Sequence, residues 1–196
     1  MNIRSRLKSL LALIMALLTA TMGWAPQWIN VAMQDLPVLT QMALNIATMV
    51  STLASGKQAA AADVAVIQNI SAEASRDLGL LQSLYNDYKA NPSSATLQKI
   101  QNVVSDVNQN LPALLQAAHI SNPTLSARIT AAVNLIVTTV NSFASLMPQR
   151  SAHTLRKTQA LPLVAAKELK RQWNHQVCSP TGNAAMDQAF AASVIR

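Results

Sequence analysis

The sequence predicts an all-α protein: an antiparallel helical bundle of about four long helices, preceded by an N-terminal apolar signal or anchor helix and followed by a short basic amphipathic helix. Three observations predict it. Glycine and proline are scarce, four and eight in 196 residues, while alanine is abundant, and that balance lowers the local cost of helix. Apolar residues recur at alternating gaps of three and four over several long stretches, the spacing of a buried helical stripe. The pairs Asn91-Pro92 and Asn122-Pro123 interrupt these stretches and restart them. The expected organisation is a signal anchor or signal peptide over 1–30, the bundle over 31–148, and a basic C-terminal segment with one or two short helices over 149–196.

The first segment is read from charge and hydropathy. Arg4, Arg6 and Lys8 precede Leu10, Leu11, Leu13, Ile14, Leu17 and Leu18, and no charge follows until Asp35. A basic start before an apolar block is the form of an export signal or a membrane anchor. The uncharged run from Ser9 to Ala25 is at the short end of the ~17–25 residues that cross a bilayer as a helix. As an anchor it would set Trp24 and Trp28 at the outer interface, where indoles are favoured. Gly23-Trp24-Ala25 offers small residues for a signal peptidase, but Pro26 obstructs that cut. Beside burial as a core helix, two outcomes follow. An uncleaved anchor leaves the bundle on the outer (periplasmic or extracellular) side of the inner membrane, in the cell envelope. A cleaved signal leaves it secreted.

The first bundle helix is expected to start at Asp35 as N-cap, with Pro37 in its first turn, and to end at Ser55-Gly56-Lys57. Its stripe is Leu36, Leu39, Ala43, Ile46, Val50 and Leu53. The second runs from about Asp63 to Lys89 with Ile67, Ile70, Ala74, Leu78, Leu81, Tyr85 and Tyr88 inward. In the third, Leu97, Ile100, Val104, Val107, Leu111, Leu114 and Ala118 form a heptad, and Pro112 predicts a bend between Asn108 and Leu111. The fourth spans Thr124 to Met147 and stops at Pro148. It has no charge from Ile129 to Gln149 and little polar surface, which suits the centre of a bundle or a membrane span. Asn134 and Asn141, seven apart, share one face and are expected to be polar core residues that set helix register.

The C-terminal segment changes character. Seven basic and two acidic groups fall in residues 148–196, against five basic and six acidic in residues 9–147. Leu161 to Gln176 is expected to form an amphipathic helix, with Lys167, Lys170 and Arg171 opposite Leu169 and Trp173. Either Leu169 and Trp173 dock on the bundle while the cations face water, or the helix lies on an anionic bilayer or partner, with Lys167, Lys170, Arg171 and Trp173 in contact. Cys178 to Asn183 reads as a turn, and Ala184 to Ile195 as a last helix.

Chemical motifs are sparse. A single cysteine, Cys178, rules out an intramolecular disulfide. His175 and Cys178 are spaced like half of a metal site, but no second pair accompanies them. Glu73 and Asp77 lie one turn apart with Arg76 between them, which suits a solvated ion pair better than acid–base catalysis. No phosphate-cradling glycine loop or nucleophile elbow occurs. The expected function is therefore a non-enzymatic exported or membrane-anchored bundle, acting as a structural, accessory or assembly subunit. The alternative is a membrane-active, holin-like or pore-forming helical protein. Expected partners are the lipid bilayer through the N-terminal segment and a protein partner or a second copy, with no cofactor, metal, nucleic acid or small-molecule substrate.

Overall fold

The alternating stripe of the first bundle helix reaches further upstream than Asp35. Ile29, Ala32, Leu36, Leu39, Ala43, Ile46, Val50 and Leu53 keep the gaps of three and four without a break, and all are buried. In the computed structural model, which describes residues 25–56, 59–147 and 164–196 (and the side chains of all but 25–28), this stripe produces one helix, α1, over Ala25–Ser55. Asp35 is thus no cap, and Pro37 lies inside the helix. A proline there removes one backbone hydrogen bond and crowds the preceding turn, a cost of ~3 kcal/mol. Burying the stripe on both sides of it offsets that cost, because packing rather than propensity supplies most helix stability.

Helix α2, Ala61–Ala90, buries all seven residues of its expected stripe. Asp63 sits in its first turn, buried, and accepts the Ser121 backbone N–H at 3.0 Å and the Ser121 hydroxyl at 2.5 Å, tying the start of α2 to a later loop. The two Asn-Pro pairs behave differently. Asn91 closes α2 as its C-cap, and α3, Ser94–Ala117, is capped by Ser93, whose hydroxyl accepts the Thr96 N–H at 3.0 Å. At the second pair Asn122 is itself the cap, accepting the N–H of Thr124 at 3.0 Å and of Leu125 at 3.1 Å. Pro123 then opens α4, Pro123–Leu146. Helix α3 runs through Pro112 to Ala117.

Two short helices follow. Helix α5 spans Ala166–Gln176, with Val164 and Ala165 outside it, so the amphipathic helix starts later than Leu161, which lies outside the described residues. Gly182 adopts φ 86°, a left-handed conformation suited to glycine. Asn183 then caps α6, Ala184–Ala192, which ends before Ile195. No strand occurs among the described residues.

Consecutive long helices pack on one another, α1 on α2, α2 on α3 and α3 on α4, and α4 returns to α1. Tyr85 of α2 and Phe143 of α4 meet edge to face, with centroids 6.3 Å apart. Helix α5 packs on α1 and α4, and α6 on α1. The buried apolar residues of all six helices form one continuous core.

Candidate functional site

The basic helix resolves into two sides. Lys167 and Arg171 are exposed, and Arg171 Nε donates to the Glu168 carboxylate at 2.7 Å. That guanidinium, helped by the Gln172 amide, pulls the Glu168 carboxyl down to about 2. Lys170 Nζ donates to the main-chain oxygen of Arg196 at 2.8 Å. Trp173, by contrast, is fully buried, and its indole N–H donates to the Ser193 carbonyl at 2.8 Å. The expectation that Trp173 touches lipid or an anionic partner is therefore corrected. An indole buries more apolar area inside the core, and it also finds a hydrogen-bond acceptor there.

Ser193 is a junction. Its carbonyl also accepts Asn45 Nδ2 of α1 at 2.8 Å, and Asn45 in turn accepts Gln41 Nε2 at 2.8 Å. Arg128 of α4 fixes the other end of the C-terminal pair. Its guanidinium donates to the Gln176 carbonyl at 2.6 Å and the Ser179 carbonyl at 3.0 Å, and lies 5.8 Å from the Phe190 ring centre. The cation thus satisfies carbonyls left free at the end of α5. Asp187 organises the turn between α5 and α6, accepting the Thr181 N–H at 2.6 Å, the Thr181 hydroxyl at 2.7 Å and the Gly182 N–H at 3.1 Å. These bonds hold its carboxyl below the usual range.

Asn134 and Asn141 do not share one environment. Asn134 is exposed, so it is not a core residue. Asn141 is half-buried and accepts Nδ2 of Asn108 in α3. Helix α4 turns its Ile129, Val133, Ile136 and Val140 stripe inward, which leaves Asn134 on the outer side. The Asn108–Asn141 pair adjoins an open groove of about 290 Å³ between α3 and α4, lined by Gln101, Val104, Ser105, Asn108, Gln109, Ala144 and Met147. None of these side chains titrates near neutral pH. Asn108 Oδ1 is enclosed and accepts no hydrogen bond from the described residues. The groove can seat a small polar group by hydrogen bonds, but it holds no acid, base or nucleophile pair.

His175 is exposed, and Cys178 is buried with its thiol pushed up to about 11, chiefly by burial. That keeps it protonated and unreactive at neutral pH. Among the described residues no three metal-ligating side chains converge. Arg76 pairs with Glu73 and, at 3.3 Å, with Asp77. Burial, then the Glu73 charge, raises the Asp77 carboxyl. The expected anchor residues Leu10, Leu11, Leu13, Ile14, Leu17, Leu18 and Trp24 lie outside the described residues, as does the side chain of Trp28.

Asp35, Asn45, Arg128 and Ser193 carry structural weight that sequence reasoning missed. Asp35 and Asn45 had a signal: each sits three residues after and four before a buried apolar residue (Ala32 and Leu39; Met42 and Met49). Arg128 and Ser193 had none, because their partners come from distant parts of the chain. No family model matches the chain, and no curated protein or solved structure is similar to it.

Proposed function

We propose that this chain is a non-enzymatic, membrane-anchored accessory protein of the cell envelope. Its antiparallel helical bundle is held on the outer side of the inner membrane by residues 1–30, or is secreted if that segment is cleaved. The observation that carries the reading is the sequence Arg4 to Leu18, a basic start and an apolar run ahead of an all-helical body. How the body uses its polar groups supports it further. Asp63 with Ser121, Asn45 and Trp173 with Ser193, and Arg128 with Gln176 and Ser179 each join one helix or loop to another. Their role is to fix the packing, and the surface is left for contacts with lipid, a protein partner or a second copy. Membrane fractionation of the expressed chain, with N-terminal sequencing of the mature product, tests this. The expected result is an intact N-terminus in the membrane fraction. A cytosolic product with an intact N-terminus would sink the proposal.

A membrane-active role is the second reading, and one observation favours it. Ile29–Ser55 and Pro123–Leu146 are long and apolar enough to cross a bilayer, with mean hydropathy 1.3 and 1.5. Half of each is buried within the protein, as a soluble core helix also would be. Release of dye from anionic vesicles discriminates: leakage at low protein-to-lipid ratio favours this reading, and intact vesicles at high ratio remove it.

A further inference from the structure

Among the described residues, Leu44, Leu80 and Val194 are the markedly exposed large apolar side chains, at 49%, 46% and 42%. Two of them, Leu44 and Val194, come from distant parts of the chain and adjoin residues that bond to one another. The Asn45–Ser193 hydrogen bond sets the backbone at Leu44 beside that at Val194. The Lys170–Arg196 bond brings a cation of α5 to within two residues of Val194. Lys167 lies one turn before Lys170 on the same face of α5 and is exposed, as is Arg196. Arg171 shares that face, but Glu168 largely neutralises it. Beside this corner the outer side of α1 carries Gln34, Gln41, Thr48 and Ser51, all exposed and uncharged. The single charge in α1, Asp35, is buried. An anionic surface approaching here meets cations and aliphatics and no exposed carboxylate of α1.

We propose that the corner formed by Leu44, Val194, Lys170 and Arg196, flanked by Lys167, docks on the headgroup region of an anionic lipid bilayer and lays α1 along the membrane. The inference rests on the anchored reading above. Two aliphatic side chains and two exposed cations, Lys167 and Arg196, with Lys170 already bonded to the Arg196 main-chain oxygen, bind weakly by themselves, because each surface cation and each shallowly inserted side chain adds little. A tether in the same membrane removes that difficulty by making docking intramolecular, at high effective concentration. It also sets the orientation. Ala25 and Leu44 are separated by roughly 28 Å of helix at 1.5 Å per residue, so an upright α1 would hold the corner away from lipid. A flat α1 brings both ends to the surface. Lipid fits this corner because it presents exposed cations beside exposed short aliphatics, the pairing that lies on an anionic headgroup layer.

The test uses the full chain, reconstituted by its own N-terminal segment into vesicles of phosphatidylcholine alone or with phosphatidylglycerol. Single cysteines at 44, 194 or 80 in a Cys178→Ala background carry an environment-sensitive dye, and brominated lipids act as quenchers. Flotation is scored first. The expected result is quenching at 44 and 194 in the anionic vesicles and little in the neutral ones. Position 80, on α2 and equally exposed, stays unquenched. Lys167→Gln lowers the docked-to-free ratio about fivefold, and Lys170→Gln, at a cation already bonded within the protein, lowers it by less. Flotation without quenching at 44 and 194 overturns the docking and leaves the anchored reading standing. Equal quenching at 80 also overturns it, since the whole body would then be embedded. Absence of flotation overturns the anchored reading and the docking together.

Discussion

The carboxyl of Asp35 is enclosed on the core side of α1, 1% exposed, with no donor to either oxygen among the described residues. A charge in that position loses its hydration without replacement, so burial pushes the carboxyl up from 3.8 to about 6. A raised folded-state value means that the folded protein holds its proton more tightly than the unfolded chain. Stability from this group is fully present below about pH 4 and is lost as pH rises through about 6. The shift corresponds to a loss on the order of 3 kcal/mol at pH 7. Asp35→Asn keeps the shape and removes the ionisation. It should raise the urea midpoint at pH 7 and change it little at pH 4. Equal effects at both pH values would show that the carboxyl is solvated or paired in the folded state. Its position was readable, since it falls between Ala32 and Leu39 on the buried stripe. The local motif Asp-Leu-Pro points instead to a helix start, and local cap chemistry is the weaker signal when eight stripe residues run through it.

At the scale of elements, what was readable follows the range of the interaction. The stripes of α2 and α3 are properties of spacing within one segment, and the seven expected positions of α2 and the first five of α3 are buried as read. Helix ends depend on which of two adjacent polar residues turns its side chain back. That choice separates Ser93 from Asn122 and is not visible in an Asn-Pro pair alone. The docking of α5 and α6 depends on Arg128 and on Ser193, whose partners are far off in sequence, and no local pattern marks them. Two predictions belong here. Trp173→Ala empties a fully buried site and should cost about 3–5 kcal/mol. Trp173→Phe keeps most of the packing but removes one donor to Ser193, whose carbonyl retains Asn45, and should cost nearer ~1 kcal/mol plus a small packing loss. Urea unfolding of both variants checks the ratio, and equal costs would assign the whole effect to the hydrogen bond. Arg128→Gln removes both carbonyl contacts and the position over Phe190 and should cost about 1–3 kcal/mol. The loss should be local. Hydrogen exchange should quicken in α5 and α6 while α2 and α3 keep their protection, and a uniform rise would mean that the two short helices unfold only with the rest.

For the whole molecule, the place where the N-terminal segment ends and the body begins decides what can be made as a soluble protein. The stripe places that junction ahead of Ile29, which is 2% exposed, and Ala32, which is fully buried. A chain starting at Ala25 keeps every described contact of α1. One starting at Leu36 loses two buried stripe residues and about three turns of helix, and it uncovers part of the face on which the other helices rest. The longer chain should therefore be monomeric or a small oligomer without detergent, strongly helical by circular dichroism, and cooperative in urea. At pH 4, where Asp35 is protonated and its removal relieves no buried charge, the shorter one should lose about 2–4 kcal/mol, from one large buried aliphatic and the packing around it, and should bind hydrophobic dyes. If both chains unfold with the same midpoint at pH 4, residues 25–35 contribute nothing to the body, and α1 upstream of Asp35 belongs with the N-terminal segment. If the longer chain stays soluble only in detergent, α1 and α4 would have to be read as membrane spans, and the mean hydropathy of 1.3 and 1.5 that they carry would then reflect contact with lipid instead of burial against one another.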